Sequence, residues 1–107
     1  MKPETPADRK SQRYLKLKIH SEQKIQLSEA VDAFWDAAIE YMGAKDLSDA
    51  EPWFIANKFD EENSEGVIRV NRLYEEDLRA SLTLIQEIGG EEVFVSIEKV
   101  SGSVKNL

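Results

Sequence analysis

The stretch Glu51-Pro52-Trp53-Phe54-Ile55-Ala56-Asn57-Lys58-Phe59-Asp60-Glu61-Glu62-Asn63-Ser64-Glu65-Gly66-Val67-Ile68-Arg69-Val70-Asn71-Arg72 decides how the chain is read. Trp53 to Phe59 is rich in aromatic and apolar residues, which suits a strand. Pro52 suits its start, where no ladder donor is needed. Asp60 to Gly66 is polar and ends in glycine, the chemistry of a turn. Gly66 to Asn71 returns as a second strand with Arg69 in its middle. The stretch therefore reads as a central hairpin, with a strand and a helix before it and a helix and a strand after it.

Working outward, Arg13-Tyr14-Leu15-Lys16-Leu17-Lys18-Ile19-His20 alternates. Leu15, Leu17 and Ile19 fall on one face; Tyr14, Lys16, Lys18 and His20 fall on the other. Ser28 to Met42 has helical spacing through Val31, Phe34, Trp35, Ala38, Ile39 and Met42. Ser28 is its expected N-cap, and Gly43 its stop. Residues 44–51 read as an acidic connector with at most a short helical turn. After Asn71 a second helix is expected to about Ile88, with Leu78, Leu82 and Ile85 as its buried stripe and Gly89-Gly90 ending it. Val93 to Val100 is the last strand, and Val104 to Leu107 a short tail.

Strand, helix, strand, strand, helix, strand is the ferredoxin-like order. The predicted class is α+β: a four-stranded antiparallel sheet with both helices on one face, as in the RNA recognition motif. The expected organisation is a flexible basic arm over 1–12 and one domain over 13–107, since 107 residues suit a single core. There is no cysteine, which excludes disulfides, thiolate metal sites and cysteine nucleophiles. Without an apolar signal core or spanning run, a cytoplasmic setting is the expectation.

The net charge is −7, unevenly spread. Residues 1–20 hold six Lys/Arg against two acids, and residues 21–65 hold three against twelve. A basic start set against an acidic middle says more about partners than the total does.

On the sheet face that the helices leave open, the first strand offers Tyr14, Lys16, Lys18 and His20. The third offers Val67, Arg69 and Asn71, and the last Phe94, Ser96 and Glu98. Lys16, Lys18 and Arg69 are expected to converge there, with Tyr14 and Phe94 close by. Cations beside rings suit single-stranded RNA, the cations for phosphates and the rings for bases; a solvated face, or one docked on a protein, is the alternative. The third strand lacks the aromatics of an RNA recognition motif, so stacking of bases on that strand is not expected.

Catalysis has little support. His20 has no metal-ligand spacing to another histidine and reads as an exposed strand residue. Asp60, Glu61, Glu62 and Glu65 lack the alternation of a cation loop and read as a solvated turn. There is no Gly-rich phosphate loop, nor the arginine-bearing loop of an acylphosphatase after the first strand.

Several short motifs then stand in order. Arg13-Tyr14 opens the first strand and Pro52-Trp53-Phe54-Ile55 the hairpin; Gly66-Val67-Ile68-Arg69-Val70 follows with Arg72. Arg79-Ala80-Ser81-Leu82-Thr83-Leu84-Ile85 comes next with Glu87-Ile88 and Gly90, then Val100-Ser101-Gly102 with Val104-Lys105. From Arg13 onward the chain resembles the archaeal ribonuclease P protein component 2 family. The resemblance implies a non-catalytic subunit of the enzyme that removes the 5′ leader from precursor tRNA, with the chemistry done by the RNA subunit and its magnesium. It implies pairing with protein component 3, joining of two such pairs into a heterotetramer, and no cofactor or metal on this chain. It carries Arg69, Arg72, Arg79 and Lys105 as RNA-binding positions, beside Lys16 and Lys18 from the open face. An intrahelical pair with Glu75 or Glu76 is the other reading of Arg79. A ferredoxin-like regulatory module that binds a small ligand and dimerises through sheet edges is the alternative function.

Overall fold

The computed structural model describes residues 11–107. The arm expected over 1–12 lies outside the described residues up to position 10, and Gln12 already belongs to the first strand. The elements are β1 (Gln12–His20), α1 (Leu27–Ala50), β2 (Trp53–Phe54), β3 (Glu65–Asn71), α2 (Glu75–Thr83), β4 (Glu87–Ile88), β5 (Glu91–Glu92) and β6 (Phe94–Ser101). Four strands form an antiparallel sheet in the order β2-β3-β1-β6. The expected ferredoxin-like arrangement is present.

Alternation in β1 becomes burial as expected. Leu15, Leu17 and Ile19 are buried, while Tyr14, Lys16, Lys18 and His20 are not. Ile68 and Val70 of β3 join them beneath the helices, where Phe34 of α1 and Leu78 and Leu82 of α2 close the core. A chain of tilted rings, Phe34–Phe54–Phe59, extends that core to the hairpin, with centroids 6.0 and 5.9 Å apart.

The hairpin keeps its expected ends but not its expected first strand. β2 stops at Phe54, and Ala56–Lys58 forms a 3₁₀ turn. That turn brings Phe59 back onto the Phe54 ring, so burial of Phe59 replaces extension of the strand. Asp60 and Glu65 then close the loop through a pair of backbone hydrogen bonds of 2.8 and 3.1 Å. Inside it the Asp60 carboxylate accepts from the Glu62 and Asn63 amides at 3.0 and 3.2 Å, an Asx turn.

Gly43 does stop the first helix as expected: its φ of +83° and ψ of 164° are not helical, and Leu27–Ala50 is two helices that meet there, the second running on to Ala50. The supposed connector is therefore mostly helical. Its end is Glu51, in the left-handed region, whose N–H reaches the Leu47 carbonyl. The start also differs. The cap is Gln26, one residue before the helix, and its N–H donates to Glu29 Oε1 at 3.2 Å.

The second helix is shorter than its apolar spacing suggested. A 3₁₀ turn, Arg72–Tyr74, precedes α2, which ends at Thr83. Ile85 and Ile88 are still buried, but from the segment that follows the helix. Gly89 and Gly90 do not cap a helix. They form the two-residue turn between β4 and β5, both with positive φ, as such a turn requires.

Candidate nucleic-acid interface

β1 lies between β3 and β6, so its outward residues have neighbours on both sides. Tyr14 stands opposite Arg69 on one side and Ser101 on the other. Lys16 stands between Val67 and Lys99, and Lys18 between Glu65 and Ser96. Arg69 in turn faces Trp53 of β2. The outward face thus carries Lys16, Lys18, Lys99 and Arg69 close to its centre, in a chain whose net charge is −7.

Lys99 reaches that face through an irregularity that alternation does not reveal. The β1–β6 register shifts between Lys16 and Leu17: Lys16 pairs with Lys99, but Leu17 pairs with Ile97. One extra residue, Glu98, is left without a partner in the register, and every position beyond it changes face. Glu98 was expected to be the last strand's member of the cationic row; Lys99 holds the position opposite Lys16 instead, with Glu98 exposed in the bulge beside it.

The expected grouping of rings is also corrected. Tyr14 is in register with Arg69, but Phe94 pairs with His20, six residues away along β1. At the rise of a strand that is about 20 Å from Tyr14. At that far corner His20 is not a free strand residue. Its ring stacks on Phe94 at 4.1 Å and 4°, and Nε2 lies 2.8 Å from Ser96 Oγ. This fixes the imidazole as a structural partner.

The outward face is partly covered. Val67 is buried although it points away from the helices. Val104 and Leu107 line, with Lys16 and Val67, a cavity of about 230 Å³. The short tail has folded back as a 3₁₀ turn, Val104–Asn106, across β1 and β3. It carries Lys105, which is exposed, to the Lys16 side of the molecule.

Of the other expected positions, Arg72 is exposed one residue beyond β3, at the Tyr14–Arg69 end of the sheet. Arg79 lies in the helix layer, and its Nη1 donates to Glu75 Oε2 at 3.2 Å, the i,i+4 pair foreseen as its alternative. Lys16 has a loose ion pair with Glu65 at 3.9 Å. Arg69 Nε is buried and has no hydrogen-bond partner among the described residues.

The hairpin acids are largely engaged by neighbours. Asp60 is engaged by its own turn, and hydrogen bonds from the Asn63 side chain and amide hold its carboxyl below the usual range. Glu62 pairs with Lys24 at 2.9 Å and Glu65 with Lys16. Among the described residues no group of three or more histidines and acids could hold a metal ion. The acids of the chain's middle gather instead on α1, where Glu29, Asp32, Asp36 and Glu40 line one groove. Cations thus predominate on the outward sheet face, where Glu65 is an acid among them, and acids predominate along α1.

Sequence reasoning missed two residues of the sheet face. Trp53 was legible, because a strand that buries Phe54 must turn its neighbour outward. Lys99 was not, because no local signal marks the bulge.

The Rpp14/Pop5 family profile matches residues 13–107. The chain belongs to the Rpp14/Pop5 family. A relative from Thermococcus kodakarensis, named ribonuclease P protein component 2, is 36% identical over 102 residues, spanning 95% of this chain and 83% of that protein. One of the same name from Methanobrevibacter smithii is 30% identical over 105 residues, spanning 94% and 88%. A chain in the cryo-EM structure of yeast ribonuclease MRP superposes with a TM-score of 0.69 at 22% identity, covering 88% of this chain and 76% of that one. At that identity the superposition supports the Rpp14/Pop5 fold and nothing finer. Among the described residues no helix is long and apolar enough to cross a membrane.

Proposed function

We propose that this chain is a protein subunit of archaeal ribonuclease P and acts in 5′-leader removal from precursor tRNA as a support for the catalytic RNA. The observation that carries this reading is the family match over nearly the whole described chain, together with relatives named ribonuclease P protein component 2 that are 30–36% identical along almost all of it. The cationic sheet face supplies the physical role. Lys16, Lys18 and Arg69, with Arg72 at its end, neutralise phosphates that folding crowds together in the RNA, and release their condensed counterions. Lys99 and Lys105 extend that surface. Arg79, already held by Glu75 in the helix layer, is left outside it.

Protein component 3 is the proposed protein partner, met by the acidic side of α1, and self-association of two such pairs gives a heterotetramer. Precursor tRNA is contacted only through the assembly, in the cytoplasm. Magnesium belongs to the RNA subunit.

Reconstitution tests the reading. The catalytic RNA, component 3 and this chain are mixed, and leader removal is followed against magnesium concentration. The wild-type chain is expected to lower the magnesium requirement, and a folded Lys16→Ala, Lys18→Ala, Arg69→Ala, Arg72→Ala variant to lose that effect. An inert wild type with a competent RNA and partner refutes the function. An active quadruple variant refutes the site alone.

A further inference from the structure

The cation row explains attraction to RNA but not one feature of the same face. Trp53 is 57% exposed on an edge strand and takes no part in the core. In the register it stands beside Arg69, and Arg69 stands beside Tyr14, so three strands contribute one rung of ring, guanidinium and ring. The guanidinium of that rung has its Nε buried without an acceptor among the described residues. That nitrogen is closed to an outside ligand, but Arg69 as a whole is only half-buried, and a guanidinium on this face offers charged donors suited to a phosphate oxygen.

We propose that Trp53 is a stacking platform for an unpaired RNA base whose phosphate is held by Arg69. This rests on the ribonuclease P reading and goes beyond it by naming what the sheet face grips. Neighbouring strands are about 5 Å apart, a gap that one nucleotide bridges from base to phosphate. Only an unpaired base offers its flat face to a ring, because paired bases are already stacked on their neighbours. The platform thus selects a loop, a bulge or a single-stranded joint of the RNA. An extended peptide fits the same corner poorly, because β2 is only two residues long. The third strand has no aromatic, so the base lies over its neighbour β2 instead.

The test uses the same assembly of catalytic RNA, component 3 and this chain, with RNA affinity measured over a range of salt. Trp53→Ala is expected to weaken binding about 5- to 150-fold, the range for loss of one stacked base, with the salt dependence unchanged. Trp53→Phe keeps a ring and is expected to retain most of the affinity. Arg69→Gln is expected to make the salt slope shallower by about 0.7, the share of one single-strand phosphate contact. In a Trp35→Phe background, where Trp53 is the sole tryptophan, RNA is expected to quench its fluorescence. Trp53 is largely exposed, so the alanine variant is expected to keep its circular dichroism and melting temperature.

Equal RNA affinity of wild type and Trp53→Ala overturns the proposal while leaving the ribonuclease P reading in place. Weakened capture of component 3 without RNA, at unchanged RNA affinity, also overturns it and makes Trp53 a protein contact. If the wild-type chain neither binds the assembly nor supports leader removal, the functional reading itself has failed, and the proposal falls with it.

Discussion

Gly66 stands where β3 passes closest to the aromatic core, and alanine there should destabilise the protein. A Cβ at Gly66 would lie 3.0 Å from Phe54 Cζ and 3.3 Å from Phe59 Cδ1. Two effects oppose each other. Replacing glycine restricts the unfolded chain and alone stabilises by about 0.4–1 kcal/mol. Overpacking a filled core costs about 1–3 kcal/mol. The overpacking wins if the rings cannot retreat. Phe54 is buried, with Phe34 on one side and Phe59 on the other, so it has little room. The net expectation is a loss of about 1 kcal/mol, which lowers the melting temperature by about 4–8 °C in a domain of this size. Urea denaturation should show a lower midpoint with an unchanged slope. Phe54→Leu removes the ring that blocks the methyl group, so Gly66→Ala in that background should cost less, or stabilise. A single Gly66→Ala variant as stable as wild type would refute the reasoning, because it would mean that the ring cluster yields.

Gly89→Ala combines a left-handed φ of +59° with a collision between the new methyl group and the Glu29 carboxylate. Moving that carboxylate gives up the hydrogen bond from the Gln26 amide at the start of α1, so a loss of about 1–2 kcal/mol is expected from thermal melting. Burial, reinforced by the Asp49 and Asp46 carboxylates and a hydrogen bond donated to Asp49, raises the Tyr74 phenol above its ordinary 10.0. A raised folded value means stability that is whole below pH 10 and is lost as pH rises through the folded pKa; Tyr74→Phe should therefore flatten the alkaline fall in stability relative to wild type. Arg79→Ala removes an exposed helical pair worth about 0.3–0.5 kcal/mol and should leave the salt slope of RNA binding unchanged; a shallower slope would return Arg79 to the RNA surface.

How far the sequence could be read depended on how local each determinant was. Period-two alternation in β1 announced which residues are buried, because a strand's geometry forces neighbours to opposite faces; in β3 it did not, since Val67 and Asn71, expected on the open face, are buried together with Ile68 and Val70. The order of elements followed, and with it the sheet order that makes β1 and β3 central. Lys16, Lys18 and Arg69 were therefore legible as residues of one face. Even Trp53 was implied, as the outward neighbour of Phe54.

Other features had two readings that only packing separates. Gly89-Gly90 suits a helix end and a hairpin turn equally, and pairing of Glu87 and Ile88 with Glu92 and Glu91 decided for the hairpin. Gly43 ends the first helical stretch as its sequence suggested, but residues 44–50, read as a connector, form a second one because they bury Ala50 and pack Leu47 against the core. Asp60's turn and the Phe59 ring shortened β2, which its composition had made to look longer.

By itself the sequence determined which residues seek the core, the strand–helix order and the sign of charge along the chain, since these depend on side chains a few positions apart. The tertiary structure alone decided that Lys99 rather than Glu98 stands opposite Lys16, that the tail lies beside Lys16 and Val67, and that Arg69 sits between Trp53 and Tyr14. Those placements depend on register between strands far apart in the chain, and one bulged residue is enough to reverse a face.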